Sequence, residues 1–151
     1  MFAVGVDVSN GRSTVAVLGA QRKIVMKPFE VPHTADGFAS LSEKLRGLNG
    51  EARIVMEHTG RYYEPFAMSM YRAGFFVSAV NPLVIKDYRE GVDVRKVKTD
   101  RADALKIAQF ALDKWEILPQ YTPMDTIRYD LKTLHRQFQL SSKTRTALNN
   151  N

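Results

Sequence analysis

Two acidic residues stand where acids are least expected. Asp7 lies inside the apolar run Phe2-Ala3-Val4-Gly5-Val6-Asp7-Val8, and Glu57 closes the run Arg53-Ile54-Val55-Met56. A carboxylate in a strand-forming segment needs a partner, a metal ion or water, because burying an unpaired charge is expensive. Two further acids, Asp100 and Asp103, are three residues apart, a spacing that places both on one side of a helix. Gathered without compensation, four carboxylates repel and raise one another's pKa values, a penalty that a divalent cation removes. Mg2+ or Mn2+ prefers carboxylate and water oxygens, and a pair of such ions about 4 Å apart can activate a nucleophile and stabilise the leaving oxygen at a phosphodiester. Each acid alone also has a plainer reading. Asp100 and Asp103 suit the first turn of a helix by its dipole, Glu57 could face water at a strand end, and Asp7 could belong to a phosphate-binding hairpin.

The elements that must position these acids follow from the pattern. The first strand meets Asn10-Gly11, a pair suited to left-handed hairpin conformations, and Ser13 to Leu18 alternates as its return strand. Lys23 to Val31 supplies a third strand, giving an antiparallel meander. Thr34 caps a helix with apolar positions Phe38, Leu41, Leu45 and Leu48, ended by Gly47 and Gly50. The strand ending in Glu57, a helix over 61–73 and a strand over 75–80 follow, a rhythm that implies parallel pairing through a crossover. Asn81-Pro82 stops that strand, and Lys86 to Lys98, dense in both charges, is expected to be a mobile loop or short helix. Thr99 caps a helix running to about Trp115, whose face of Ala104, Leu105, Ala108, Ala111 and Leu112 packs on the sheet. The expected fold class is α/β, a mixed sheet with an antiparallel meander and then parallel strands, flanked by helices.

Pro119 and Pro123 frame a connector, so the expected organisation is a domain over 1–118 and a connector with a long helix over 119–151. In that helix Ile127, Leu131, Leu134 and Phe138 recur with heptad-like spacing, and five basic residues, Arg128, Lys132, Arg136, Lys143 and Arg145, face only Asp130. An apolar seam of this kind requires a partner helix. The expectation is a homo-oligomer through this helix, or a longer parent protein cut within it.

Composition narrows the function classes. The 151 residues carry 22 Lys and Arg against 16 Asp and Glu, a net charge of +6 that favours polyanionic partners. The absence of cysteine excludes disulfides, thiolate metal sites and cysteine nucleophiles. No stretch reaches the ~20 apolar residues of a membrane span and no signal peptide is apparent, so a cytoplasmic protein with no membrane partner is expected.

In order and spacing, Gly5-Val6-Asp7-Val8-Ser9, Glu57-His58-Thr59-Gly60, Asn81-Pro82 and Lys98-Thr99-Asp100-Arg101-Ala102-Asp103-Ala104 resemble the DEDD transposases of the bridge-RNA-guided insertion-sequence family, over about residues 3–113. The resemblance implies a resolvase-like, RNase H-like domain with Asp7, Glu57, Asp100 and Asp103 as both catalytic and metal-holding residues. It further implies dependence on Mg2+ or Mn2+, DNA and a structured guide (bridge) RNA as partners, recombination of an insertion element, and a prokaryotic, nucleoid-associated setting. Members of that family continue through a coiled coil into a domain bearing a serine proposed as nucleophile. Ser141 and Ser142 match no such motif, so the chain is expected to be a truncated and incomplete recombinase.

Around the last acidic pair stand Lys86, Arg89, Arg95, Lys96, Lys98, Arg101 and Lys106, of which Arg95, Lys96, Lys98 and Arg101 are the expected nucleic-acid contacts. A solvated charged loop is the alternative, with Asp87, Glu90 and Asp93 cancelling much of the field. Tyr62, Tyr63 and Tyr88 are expected to pack in the interior rather than stack on bases, and His58 is given no role. Three rival functions remain. One is an ATP-binding domain of the actin and sugar-kinase type, which lacks here a second phosphate hairpin and a glycine-rich adenosine loop. Another is a nucleic-acid scaffold without chemistry of its own, and the third is a junction resolvase acting alone.

Overall fold

A computed structural model describes residues 1–92, 99–123 and 126–149. Met1–Tyr121 forms one compact unit and Thr122–Asn151 a second. The first unit holds a five-stranded sheet, β1 (Phe2–Ser9), β2 (Arg12–Leu18), β3 (Ile24–Pro32), β4 (Ala52–Glu57) and β5 (Phe76–Val80), in the order β3-β2-β1-β4-β5. As the pattern implies, β1, β2 and β3 pair antiparallel, while β4 is parallel to β1 and β5 to β4. Ser9 faces Arg12 across the first turn, where Gly11 takes a left-handed φ of +77° and Asn10 does not.

Helices cover both faces. Helix α1 (Ala35–Arg46) starts at Thr34, whose hydroxyl accepts from the amide of Gly37 at 3.0 Å. With α2 (Tyr63–Arg72) it buries Leu41, Leu45, Phe66 and Met70 against Val4, Val6, Val15, Ile54, Met56 and Val77. Two further helices, α3 (Pro82–Val92) and α4 (Asp100–Asp113), lie on the opposite face. Helix α4 begins at Thr99, whose hydroxyl accepts from the Ala102 amide at 3.1 Å. That face buries Ala3, Val55, Val80, Ile107, Phe110 and Ala111, together with Ile85 from α3.

Helix α3 starts earlier than the charge pattern suggested. Asn81-Pro82 ends β5 and also begins this helix. The Asn81 side chain accepts from the Leu83 amide at 2.9 Å, and Pro82, with no amide hydrogen to lose, occupies the first helical position. Ile85 is fully buried, and Tyr88 packs edge-on against Phe110 and donates to Asp113 Oδ2 at 2.6 Å. Tyr88 is therefore a packing residue, as expected, and Tyr63 likewise packs against the core under α1 and α2. Tyr62 departs from the expectation and stays exposed, because it sits just ahead of α2, with the Arg61 guanidinium 5.9 Å from its ring centre.

At the base of the sheet, a 3-10 turn over Trp115–Ile117 follows α4. Arg53 lies 4.6 Å from the ring centre of Phe76 and 4.4 Å from that of Trp115, and its guanidinium also donates to the Trp115 carbonyl. Residues 118–121 return along the sheet edge, where the Tyr121 amide donates to the Val77 carbonyl at 2.7 Å.

The second unit is α5 (Thr126–Asn149), 24 residues long. Leu131, Leu134 and Phe138 of the apolar seam read from the sequence, and Leu140 after them, are all at least 60% exposed. Among the described residues no helix is long and apolar enough to cross a membrane.

Candidate carboxylate site

The site is built where β1 and β4 end. Strand register pairs Gly5 with Val55 and Val6 with Met56, and one step further along both strands come Asp7 and Glu57. Side chains alternate between the faces of a strand. Ala3 and Val55 belong to the cluster under α4, so Asp7, two residues beyond Gly5, and Glu57, two beyond Val55, share the α4 face. Adjacent strands lie roughly 4.8 Å apart, so the two acids are neighbours. Both are half-buried.

Helix α4 brings the second pair. Its approach to β1 is close enough that only glycine fits beneath it: a Cβ on Gly5 would lie 2.1 Å from the Ala104 carbonyl oxygen and 2.4 Å from the Ala108 amide nitrogen. Ala3 touches the far end of α4, among Ile107, Phe110 and Ala111, while Gly5 meets Ala104 and Ala108, so the helix start points toward Asp7. Asp103, in the first turn, is half-buried, and Asp100 is exposed. Both benefit from the helix dipole there, which is the structural role each would have without any ligand.

The same row across the sheet contains residues that the sequence pattern did not single out. Asp7 pairs with Thr14, and Thr14 pairs with Glu30. The row on the α4 face therefore runs Glu30, Thr14, Asp7, Glu57, Val80, the last two being paired in β4 and β5. Thr14 is buried, whereas Glu30 is exposed and pairs loosely with Arg12 at 3.7 Å. An open cleft of about 430 Å³ beside the row is lined by Thr14, Phe29, Glu30, Thr99, Asp100 and Arg101.

As a donor set, carboxylates at the ends of β1 and β4 and in the first turn of α4 are of the kind that suits a hard divalent cation. Among the described residues, however, no group of three His, Asp or Glu side chains stands ready to hold a metal ion. Arg101 is exposed in the first turn of α4 and Lys86 is exposed on α3. Arg95, Lys96 and Lys98 lie outside the described residues. His58 is exposed, its amide donating to the Val80 carbonyl at 2.9 Å and its ring 6.2 Å from that of Tyr63. That bond ties the loop after Glu57 to the end of β5.

Residues 4–151 match the family DEDD_Tnp_IS110, described as a transposase. No curated protein matches the chain by sequence. Among solved structures the fold is similar to RuvC from T. thermophilus in complex with a Holliday junction substrate, with a TM-score of 0.58, 15% identity, and coverage of 80% of this chain and 99% of that one. A second Thermus thermophilus RuvC structure gives the same TM-score of 0.58 and 15% identity, covering 80% of this chain and 100% of that one. At that identity the likeness concerns the fold.

Proposed function

This chain belongs to the DEDD transposase family of IS110 type, and on that premise we propose that it is the nuclease-like domain of a metal-dependent DNA transposase that cuts and exchanges DNA strands. The observation that carries the reading is the placement of Asp7 and Glu57 side by side at the ends of two parallel strands, under the acidic first turn of α4. A structural role explains any one of these acids. It does not explain why acids recur at the ends of two neighbouring strands and at the start of the helix that lies on them.

In this reading Asp7, Glu57, Asp103 and Asp100 are the residues that would hold Mg2+ or Mn2+. A divalent cation supplies activation of water or a hydroxyl and neutralisation of the scissile phosphate. The strand pair holds Asp7 and Glu57 rigidly, and α4 sets the distance of Asp103 and Asp100 from them. Arg101, with Lys98, Arg95 and Lys96, docks the phosphate backbone. A branched DNA is the first substrate to test, since the similar RuvC is in complex with a Holliday junction. Guidance by a structured RNA, and pairing of two copies through the exposed seam of α5, complete the proposal. Two copies would cover Leu131, Leu134 and Phe138, which stand open along one helix.

The test is calorimetric titration of Mn2+ into the wild-type chain and an Asp7→Ala, Asp103→Ala double variant, alongside cleavage of a four-way junction in Mg2+. The expected result is saturable binding that is lost in the variant. Binding that is equal in both proteins would refute the site. Absence of saturable binding in the wild type, even with junction DNA present, would leave the domain as a nucleic-acid scaffold.

A further inference from the structure

The cleft beside the carboxylate row is a place of its own in the fold. It lies on the β2 and β3 side of Asp7, between the sheet and the first turn of α4, and its volume of about 430 Å³ is within the range of roughly 300–1,000 Å³ typical of ligand-holding clefts. Its chemistry is mixed. Glu30 and Asp100 offer carboxylate acceptors, Thr14 and Thr99 hydroxyls, and Arg101 a guanidinium.

That mixture excludes some occupants. A bare phosphate is disfavoured by two carboxylates in the wall. The start of α4 is no vacant anion site either, since the Ala102 amide is already bonded to the Thr99 hydroxyl. A stacked base is also unsupported. Phe29 is the one aromatic residue in the lining among the described residues, but its ring packs with the core of the other face, 4.7 Å beneath Lys44 Nζ. What fits is a group that presents hydrogen-bond donors to Glu30 and carries one phosphate toward Arg101.

We propose that this cleft takes a single nucleotide of the strand next to the cutting site, held by an exocyclic base amine on Glu30 and by its phosphate on Arg101. The inference rests on the function proposed above and adds a base preference to it. Carboxylates accept from base amino groups, as Glu and Asp do from cytosine N4, whereas thymine offers no such amine. Glu30 is available for this role. Its pairing with Arg12 spans 3.7 Å with both side chains 61% exposed, a contact of the kind that contributes little. The cleft adjoins the acids because Thr14, in its wall, is the pairing partner of Asp7.

The experiment is fluorescence anisotropy of labelled oligo-dC and oligo-dT with the full chain in Ca2+, over a range of salt, for wild type, Glu30→Ala and Arg101→Ala. Both positions are exposed, so both variants should fold, which circular dichroism checks. The expected result is a preference of roughly tenfold for oligo-dC in the wild type, abolished in Glu30→Ala. Arg101→Ala should keep the preference and lower the slope of log affinity against log salt by about 1. A preference absent from the wild type or retained in Glu30→Ala would overturn the base contact, and an unchanged slope in Arg101→Ala would overturn the phosphate contact. Failure of either kind with Mn2+ binding intact leaves the carboxylate site standing. Loss of all salt-dependent strand binding in the wild type would overturn the cleft and the function together.

Discussion

Substituting Gly5 by alanine tests whether the α4 contact with β1 sets the geometry of the acids. The added methyl would meet backbone on both sides, the Ala104 carbonyl oxygen at 2.1 Å and the Ala108 Cα at 2.9 Å, so no side-chain rotation can relieve it. Restoring ordinary contact requires the start of α4 to retreat by roughly 1 Å. Overpacking of this kind costs about 1–3 kcal/mol, read as a lower urea midpoint. The same retreat carries Asp103 and Asp100 away from Asp7 and Glu57, and a displacement of about 1 Å at a reacting centre can cost on the order of 100-fold in rate. The assay pairs urea unfolding with Mn2+ titration and junction cleavage. Gly47→Ala is the control: it sits at a helical φ of −68°, where the new Cβ would meet its nearest atom at 3.4 Å, and its stability should stay level or rise by up to ~1 kcal/mol. A Gly5→Ala protein with wild-type midpoint, Mn2+ affinity and rate would contradict both the clash and its consequence for the acids. A lower midpoint with full activity would show that α4 stabilises the sheet without placing the acids.

His33 should make stability depend on pH in the acid direction. Burial holds its pKa below the ordinary 6.5, so the unfolded chain takes up the proton first. Its stabilising contribution is then complete above pH 6.5 and lost as pH falls through the lowered value. Urea midpoints at pH 7.5 and pH 5 should therefore fall further apart in the wild type than in His33→Phe, and parallel losses would contradict this. The Ser78 hydroxyl is fully buried in β5 with no hydrogen-bond partner among the described residues, so Ser78→Ala should leave stability unchanged or raise it by about 1 kcal/mol in urea unfolding. A loss above that would reveal a bond made by the hydroxyl. Asn81→Ala removes the cap of α3 and should lower stability by about 1 kcal/mol, with no change in midpoint as the contrary result.

Those features written in local chemistry were legible from residue order. Thr34 and Thr99 cap the helices they were expected to cap, and the spacing of Asn10-Gly11 leads to the pairing of Ser9 with Arg12. Asp7 and Glu57 stood out because each interrupts or ends an apolar strand, and the family match agrees with the resemblance their motifs carry. Glu30 was hidden for a physical reason. Its place in the row depends on the register of β3 against β2, and that register shifts twice, between Val15 and Val17 and again before Leu18. No short-range pattern encodes such shifts. The role of Gly5 was equally invisible, since a glycine in a strand does not announce which helix will lie on it. Helix α3 was obscured because Asn81-Pro82 signals a strand end and a helix start with the same residues.

The packing of Arg53 between Phe76 and Trp115 gives the chain a built-in optical probe. Trp115 is its sole tryptophan and is 7% exposed, held against the base of the sheet in the first unit. Its emission should be shifted to the blue in the native protein and move to the red only when the sheet unit opens. Far-ultraviolet dichroism, by contrast, counts every helix, α5 included. Followed together during unfolding, the two signals separate melting of the terminal helix from loss of the carboxylate-bearing unit, without any attached dye.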